Sequence, residues 1–267
     1  MSKPEKKTSP AMGAGAALLS IAALGVALVS HSTLPTRVEQ EVQRQVPAIV
    51  AAATADLERE KKSLVVAANL KGWELAEENM PAGRNIYGSL NAEYTLVEFS
   101  DLECSFCKRY HSTPKDLVQQ TGGRVNWEWQ HLPLGFHNPV SNTASHAALC
   151  VSEISGNKAF WAFTQLWFDA SALGGRGAPN VSELAANVGA PQAEFQACMD
   201  SQRHQGVIDE HVARAEKEGI TGTPGTYVVD NTTGNRVFVR GAQPASSLLA
   251  AIKQLQGMRD SAGDADG

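Results

Sequence analysis

Two cysteines, Cys104 and Cys107, are separated by two residues at a strand-to-helix junction. Tyr94 to Ser100 is a β-branched and aromatic run typical of a buried strand, and a helical pattern follows Cys107 to about Gln120. Thiols at this spacing can close a disulfide without backbone movement. The first thiol would also face the positive end of the helix, which stabilises its thiolate. The pattern therefore predicts redox chemistry, with Cys104 as nucleophile and Cys107 as the resolving cysteine.

The order of the remaining elements predicts an α/β fold with a helical insertion. A second strand at Val125 to Leu132 completes a βαβ half, and a ββα half follows later, with a turn at Asn231 to Asn235 and a last helix from Pro244 to about Leu255. The block between the halves, at about 138–218, has helical spacing. This is the order of a thioredoxin fold carrying a helical insertion. Core positions in the insertion are predicted for four aromatic residues: Trp161, Phe163, Trp167 and Phe168.

Three segments resemble the DsbA-like members of the thioredoxin superfamily. They are Glu98-Phe-Ser-Asp-Leu-Glu-Cys-Ser-Phe-Cys107, the Gly222-Thr-Pro224 turn before the hairpin, and the helical region from His137 through Phe160-Trp161. The likeness covers roughly residues 83–256. It implies a thiol–disulfide oxidoreductase that requires no cofactor beyond its own cysteines.

The resemblance also implies roles for residues around the cysteine pair. Pro224 would be cis, and Thr223 would line a groove that binds substrate as an added strand. Ser105 and Phe106, between the cysteines, would tune the redox potential and contribute to the substrate-binding surface. Glu98 would carry protons to and from the resolving cysteine. Without the resemblance, the sequence predicts that Pro224 is an ordinary trans proline in a turn and that Glu98 is a strand-edge residue facing water.

The other two cysteines, Cys150 and Cys198, lie in the predicted insertion among apolar neighbours. In an oxidising compartment they are expected to form a structural disulfide, and the alternative is a second redox pair. A zinc site is the alternative for the CxxC pair, but it needs two further nearby ligands. His111, one helical turn past Cys107, is interpreted as a solvated histidine, and no metal is predicted.

The N-terminal segment predicts export. Residues 1–10 carry three lysines, and residues 11–30 form an uncharged apolar stretch long enough to cross a bilayer as a helix. The positive-inside rule keeps residues 1–10 in the cytoplasm and places the rest outside, as a single-pass anchor in a bacterial cytoplasmic membrane with a periplasmic domain. A cleaved signal peptide, with Gly25-Val26-Ala27 as the cleavage site, is the alternative.

Residues 31–80 predict a helical spacer between the anchor and a domain at 81–257, and residues 258–267 a disordered tail. An apolar stripe recurs along the spacer, but Pro47 is expected to interrupt the helix, and the run Glu58 to Lys62 offers no apolar position. Homodimerisation through this stripe is therefore the minority hypothesis. The stripe comprises Val38, Val42, Val46, Ile49, Ala53, Leu57 and Leu64.

The leading functional hypothesis is an oxidase that introduces disulfides into exported proteins containing cysteines. A quinone-linked membrane oxidase would recycle it; an isomerase or reductase with the same site, served by a membrane reductase, is the first alternative. A redox-inert peptide-binding chaperone is the second. The net charge of −5 gives no indication of nucleic-acid binding, and 43% hydrophobic residues fit a globular core.

Overall fold

The computed structural model describes residues 36–263, except residues 79 and 82. A five-stranded mixed sheet has the order β1-β3-β2-β4-β5, with β2 at its centre. Strand β2 is parallel to β3, whereas the pairs β1–β3, β2–β4 and β4–β5 are antiparallel. The strands are β1 Asn85–Tyr87, β2 Tyr94–Ser100, β3 Val125–His131, β4 Gly225–Asp230 and β5 Arg236–Arg240.

The chain also forms eight helices within the described residues. Among the described residues they are α1 Thr36–Leu70, α2 Ser105–Tyr110, α3 Ser112–Gln120, α4 Val140–Ala170, α5 Val181–Ala186, α6 Gln192–Ser201, α7 Gln205–Lys217 and α8 Ala245–Gly263, with a 3-10 turn at Gly135–His137. Helices α2 and α3 connect the parallel strands β2 and β3, as a parallel pair requires. The predicted thioredoxin-type order with a helical insertion is confirmed. Strand β1 was not predicted because three residues are too few to show a period.

The insertion is built on α4, which bends at Gly156. This glycine has φ 85° and ψ 173°, a conformation that residues with a side chain rarely adopt. The first part of the block predicted to be helical is therefore one bent element with two arms, one on each side of Gly156. Its second arm carries the four aromatic residues predicted to be buried, and all four are at most 1% exposed. They join the tryptophans of β3 in one core.

Helix α1 continues through Pro47, so the predicted interruption is wrong. A proline removes one hydrogen bond and costs about 3 kcal/mol in a helix interior, which the neighbouring helix formers offset. The chain divides into a unit up to Lys61 and a second unit from Lys62 onward. In the second unit Trp73 and Ala76 are buried in the main core, so the domain begins earlier than residue 81.

The last helix, α8, continues to Gly263, beyond the predicted end at about Leu255. Residues 258–263 are therefore helical, which corrects the predicted disordered tail over that range; residues 264–267 lie outside the described part. Within residues 36–263 no helix is both long and apolar enough to cross a membrane. The predicted anchor at residues 11–30 lies outside the described residues, and dimerisation through the spacer stays a prediction.

Candidate active site

The two cysteines lie at the end of the central strand β2, where the chain turns into helix α2. Cys104 caps the start of α2 with extended backbone, and its carbonyl accepts a hydrogen bond from the Lys108 N–H at 3.0 Å. Cys107 lies in the first turn of the helix. Both thiols are free; Cys104 is 5% exposed and Cys107 is fully buried. Only Cys104 can therefore be reached by another protein's sulfur, as the predicted division of roles requires.

The two thiols have opposite acidities. The Cys107 thiol donates a hydrogen bond to Cys104, and this is the largest cause that lowers the pKa of Cys104 to about 6. Thr223 and the backbone N–H groups of Phe106 and Cys107 lower this pKa further, against the effect of burial. Burial and the neighbouring Cys104 raise the pKa of Cys107 well above its ordinary value. The site thus stabilises one thiolate, on the accessible sulfur.

The Thr223–Pro224 peptide bond is cis, as the family resemblance implied, and it lies beside the nucleophile. The Cys104 Sγ is 3.6 Å from the carbonyl oxygen of Thr223. Ser105 and Phe106 are exposed, and with Cys104 and Thr223 they line a cavity of about 500 Å³. The structure therefore brings all of the predicted substrate-binding residues together around one sulfur. Their contribution to substrate binding stays a prediction.

Glu98 is fully buried in the central strand β2, so the strand-edge interpretation is wrong. Burial is the largest cause that raises the pKa of its carboxyl group to about 8, and Ser100 and Trp127 counteract part of this effect. The charge of Glu98 is in turn one of the causes that raise the pKa of Cys107. A carboxyl group with this pKa can hold or release a proton near neutral pH. The proton-carrier role itself stays a prediction.

His111 is buried, which corrects its interpretation as a solvated residue. Its ring packs edge-on against Trp127 and Phe168, with ring centroids 5.1 Å away in both cases. Burial lowers the pKa of His111 to about 3. The imidazole is therefore neutral at physiological pH and belongs to the core beneath the active site.

Asp101, just before the cysteine pair, is a buried carboxylate that the sequence did not mark as functional. It accepts hydrogen bonds from the N–H groups of Glu103 at 2.8 Å and Leu134 at 3.0 Å. The His137 Nδ1 lies 2.7 Å from the second carboxylate oxygen, and the Ser141 hydroxyl donates to the first. Asp101 thereby fixes the 132–141 segment against the turn that carries Cys104.

Glu103 fixes a second loop, at residues 171–177, against the same turn. It is fully buried and accepts hydrogen bonds from the Trp167 indole at 2.9 Å and the Ser171 hydroxyl at 2.7 Å. Its other oxygen accepts from the N–H groups of Gly175 and Gly177, both at 3.0 Å. The only signal in the sequence was a pair of acidic residues beside the CxxC motif, and most of their partners lie tens of residues further along the chain.

Cys150 and Cys198 form a disulfide, as predicted, and both are fully buried. Their Cα atoms are 5.8 Å apart, within the usual range for such bridges. The bond joins α4 to α6 inside the insertion. It therefore links two helices of the insertion to each other and does not link the insertion to the sheet.

A CxxC pair at the start of a helix, beside a cis-proline and under a helical insertion, defines a thiol–disulfide oxidoreductase of the DsbA type. The family model described as Thioredoxin matches residues 82–253, and the chain belongs to this family.

Solved structures of similar proteins agree with this class. DsbA2 of Pseudomonas aeruginosa is 32% identical, and the match covers 67% of this chain and 97% of that chain with a TM-score of 0.60. BdbD of Bacillus subtilis, in its oxidised form, is 19% identical over 67% of this chain and 96% of that chain, with a TM-score of 0.56. The second likeness shows the fold alone.

Curated relatives contain the domain as part of a longer chain. A Na(+)/H(+) antiporter NhaA of Herminiimonas arsenicoxydans is 28% identical over 63% of this chain and 25% of that protein. NhaA 3 of Salinispora tropica is 26% identical over 55% of this chain and 22% of that protein. This chain thus spans about a quarter or less of the length of these relatives.

Proposed function

We propose that this chain is an extracytoplasmic disulfide oxidase, which donates the Cys104–Cys107 disulfide to exported proteins that contain cysteines. The observation that carries the proposal is the pKa of about 6 at Cys104 beside a buried Cys107 of raised pKa. Stabilising the Cys104 thiolate stabilises the reduced site, and a site whose reduced form is stable is an oxidant.

The size of the effect on the reduction potential follows from the difference between the pKa of Cys104 and the ordinary pKa of a cysteine thiol. At pH 7 a thiol of pKa about 6, in place of the ordinary value of 9.0, favours the reduced form by about 1.4 kcal/mol. For a two-electron couple this corresponds to a shift of about 30 mV toward a stronger oxidant. The low pKa of Cys104 thus shifts the reduction potential toward a stronger oxidant.

The reaction proceeds through a mixed disulfide. A substrate thiolate attacks the Cys104 sulfur, the Cys104–Cys107 bond breaks, and Cys107 leaves and takes up a proton. A second substrate thiolate then attacks the substrate sulfur of the mixed disulfide and expels Cys104 as a thiolate. Two electrons pass from the substrate dithiol to the site. The low pKa of Cys104 makes it a good leaving group in the second step.

Glu98 supplies the proton that Cys107 needs in the first step. With a pKa of about 8 its carboxyl group is mostly protonated at neutral pH, and it is buried near the same sulfur. The exposed Phe106 and the Thr223 backbone would hold the substrate as an added strand next to Cys104. The position of Glu98 near the buried sulfur of Cys107 supports the first role. The positions of Phe106 and Thr223 beside the accessible sulfur of Cys104 support the second.

Export and recycling complete the proposal. The basic and apolar segments at residues 1–10 and 11–30 would anchor the chain in the cytoplasmic membrane, and a quinone-linked membrane partner would reoxidise the site. The Cys150–Cys198 disulfide supports an oxidising compartment. Cleavage of the domain by protease added to intact spheroplasts would test this placement; full protection would contradict it.

The direction of electron flow is tested by the reduction potential of Cys104–Cys107 in the full chain, equilibrated against glutathione. A value near about −120 mV, as in strong oxidants, is the expected result. A value at or below roughly −230 mV would contradict the oxidase and favour a reductase or isomerase. A Cys104→Ala variant provides the control, because all oxidase activity must depend on that sulfur.

A further inference from the structure

The Cys150–Cys198 disulfide lies within a group of side chains that can bind metal. His146 is one helical turn before Cys150 on α4, so the two side chains share a helix face. A ring nitrogen of His146 and the two sulfurs all lie within 4.8 Å of one another. A ring nitrogen of His204, the Cys198 sulfur and a carboxylate oxygen of Glu153 form a second such group. The two groups share Cys198, so His204 lies next to the group formed by His146 and the two sulfurs.

His146 is the unusual member of this group. Its side chain is fully buried; one ring nitrogen faces the backbone carbonyl of Cys198, and the other has no hydrogen-bond partner. Buried polar groups in folded proteins nearly always have partners, so an imidazole of this kind needs a reason to be there. Its ring centroid lies 5.6 Å from that of His204, which stands at the start of α7. The disulfide by itself requires neither ring.

We propose that reduction of the Cys150–Cys198 disulfide converts this group into a binding site for one Zn²⁺, with His146, Cys150, Cys198 and His204 as ligands. Two cysteines and two histidines in tetrahedral arrangement are a common donor set for structural zinc. Glu153 lies 2.8 Å from the His204 ring and would orient it, as carboxylates do behind zinc-bound histidines.

The chemistry balances with a dithiol as the reductant. Thiol–disulfide exchange transfers two electrons and two protons from the dithiol to the Cys150–Cys198 bond, which leaves two thiols and the oxidised dithiol. Zn²⁺ then displaces the two thiol protons to form two zinc–sulfur bonds.

The disulfide and the zinc ion are mutually exclusive, yet each joins α4 to α6. In the oxidised protein a covalent bond links the two helices, and in the reduced protein the zinc ion would link them. The helical insertion beside the active site would then keep its structure in both redox states. This inference does not depend on the direction in which Cys104 and Cys107 transfer electrons.

The test uses the full chain in detergent with Cys104→Ser and Cys107→Ser, so that only the insertion cysteines can contribute thiolates. The protein is reduced with a phosphine, the phosphine is removed under nitrogen, and Co²⁺ alone is added. We expect thiolate-to-cobalt charge-transfer absorption that saturates at one ion per chain and disappears on addition of Zn²⁺. The oxidised chain should show none. Absence of this absorption in the reduced chain would overturn the proposal.

Ligand variants separate this site from simple binding by two thiols. His146→Gln and His204→Gln should each weaken Co²⁺ binding at least tenfold, whereas the matched control His211→Gln, a histidine on α7 outside the donor group, should not. Unchanged affinity in both ligand variants would overturn the proposal. If a variant does not fold, alkylation of the parent decides: Zn²⁺ must protect Cys150 and Cys198, and equal alkylation with and without Zn²⁺ refutes the site.

Discussion

Replacing Glu98 with glutamine removes an ionisable proton from a carboxyl group that the central strand buries completely. Glutamine has nearly the same shape, so the change isolates the charge. Burial raises the pKa of Glu98 from 4.5 to about 8 in the folded protein. Between these two values the folded chain keeps the proton and the unfolded chain loses it. The contribution of Glu98 to stability is therefore fully present below pH 4.5 and is lost as the pH rises toward 8.

The magnitude follows from the shift, at about 1.36 kcal/mol for each pKa unit. Relative to Glu98→Gln, the wild-type chain should lose about 1 kcal/mol of unfolding free energy at pH 5, about 3 kcal/mol at pH 7 and about 4 kcal/mol at pH 8. Any cost of burying the glutamine amide is independent of pH. The prediction is therefore the change with pH of the difference in unfolding free energy between wild type and Glu98→Gln, and not the value of that difference at any one pH.

The assay is urea unfolding of the full chain in detergent at pH 5, 7 and 8. A glutathione buffer keeps the CxxC pair reduced and leaves the insertion disulfide closed. A difference between wild type and Glu98→Gln that is flat across this range would refute the raised pKa. The variant should also transfer disulfides roughly 100-fold more slowly, because it cannot donate a proton to Cys107.

Glu103→Gln is the matched control, because Glu103 is a second fully buried glutamate, in the turn that follows the strand of Glu98. Each of its carboxylate oxygens accepts two hydrogen bonds. In glutamine one of these oxygens becomes an amide nitrogen, which cannot accept a hydrogen bond, so one pair of donors loses its partner. We expect a loss of about 2–4 kcal/mol in unfolding free energy at all three pH values. A pH-dependent difference from wild type is therefore expected for Glu98→Gln and not for Glu103→Gln.

Three further changes test other parts of the molecule. Cys107→Ala removes the main hydrogen bond to the Cys104 thiolate, so the alkylation midpoint of Cys104 should rise from about 6 toward 9.0; an unchanged pH profile would contradict this cause. Gly88→Ala places a Cβ 2.8 Å from a valine methyl of α3 at φ +103°, and should cost about 1–3 kcal/mol in urea unfolding. The paired variant Cys150→Ala/Cys198→Ala opens a loop with a separation of 48 residues and should cost about 4 kcal/mol by the same measurement.

Much of the fold could be predicted because its signals are local. The CxxC pair, strand β2, the hairpin strands and the aromatic face of α4 are each encoded within a short window, where hydrophobic period and turn residues act directly. The Cys150–Cys198 disulfide was predictable because both cysteines lie among apolar neighbours in a domain that the sequence predicts to be exported. The broad architecture and the nucleophile were therefore accessible from the sequence.

The tertiary structure alone decided the electrostatics of the site. Glu98 acquires its raised pKa, and His111 its lowered one, because elements distant in sequence exclude water from them. Apart from the Glu103 N–H that donates to Asp101, the donors to Asp101 and Glu103 lie on segments 33 to 74 residues further along the chain. The sequence by itself determined which residues could do the chemistry. Burial and hydrogen bonding depend on long-range contacts, so only the folded chain determined how acidic those residues are and what holds them in place.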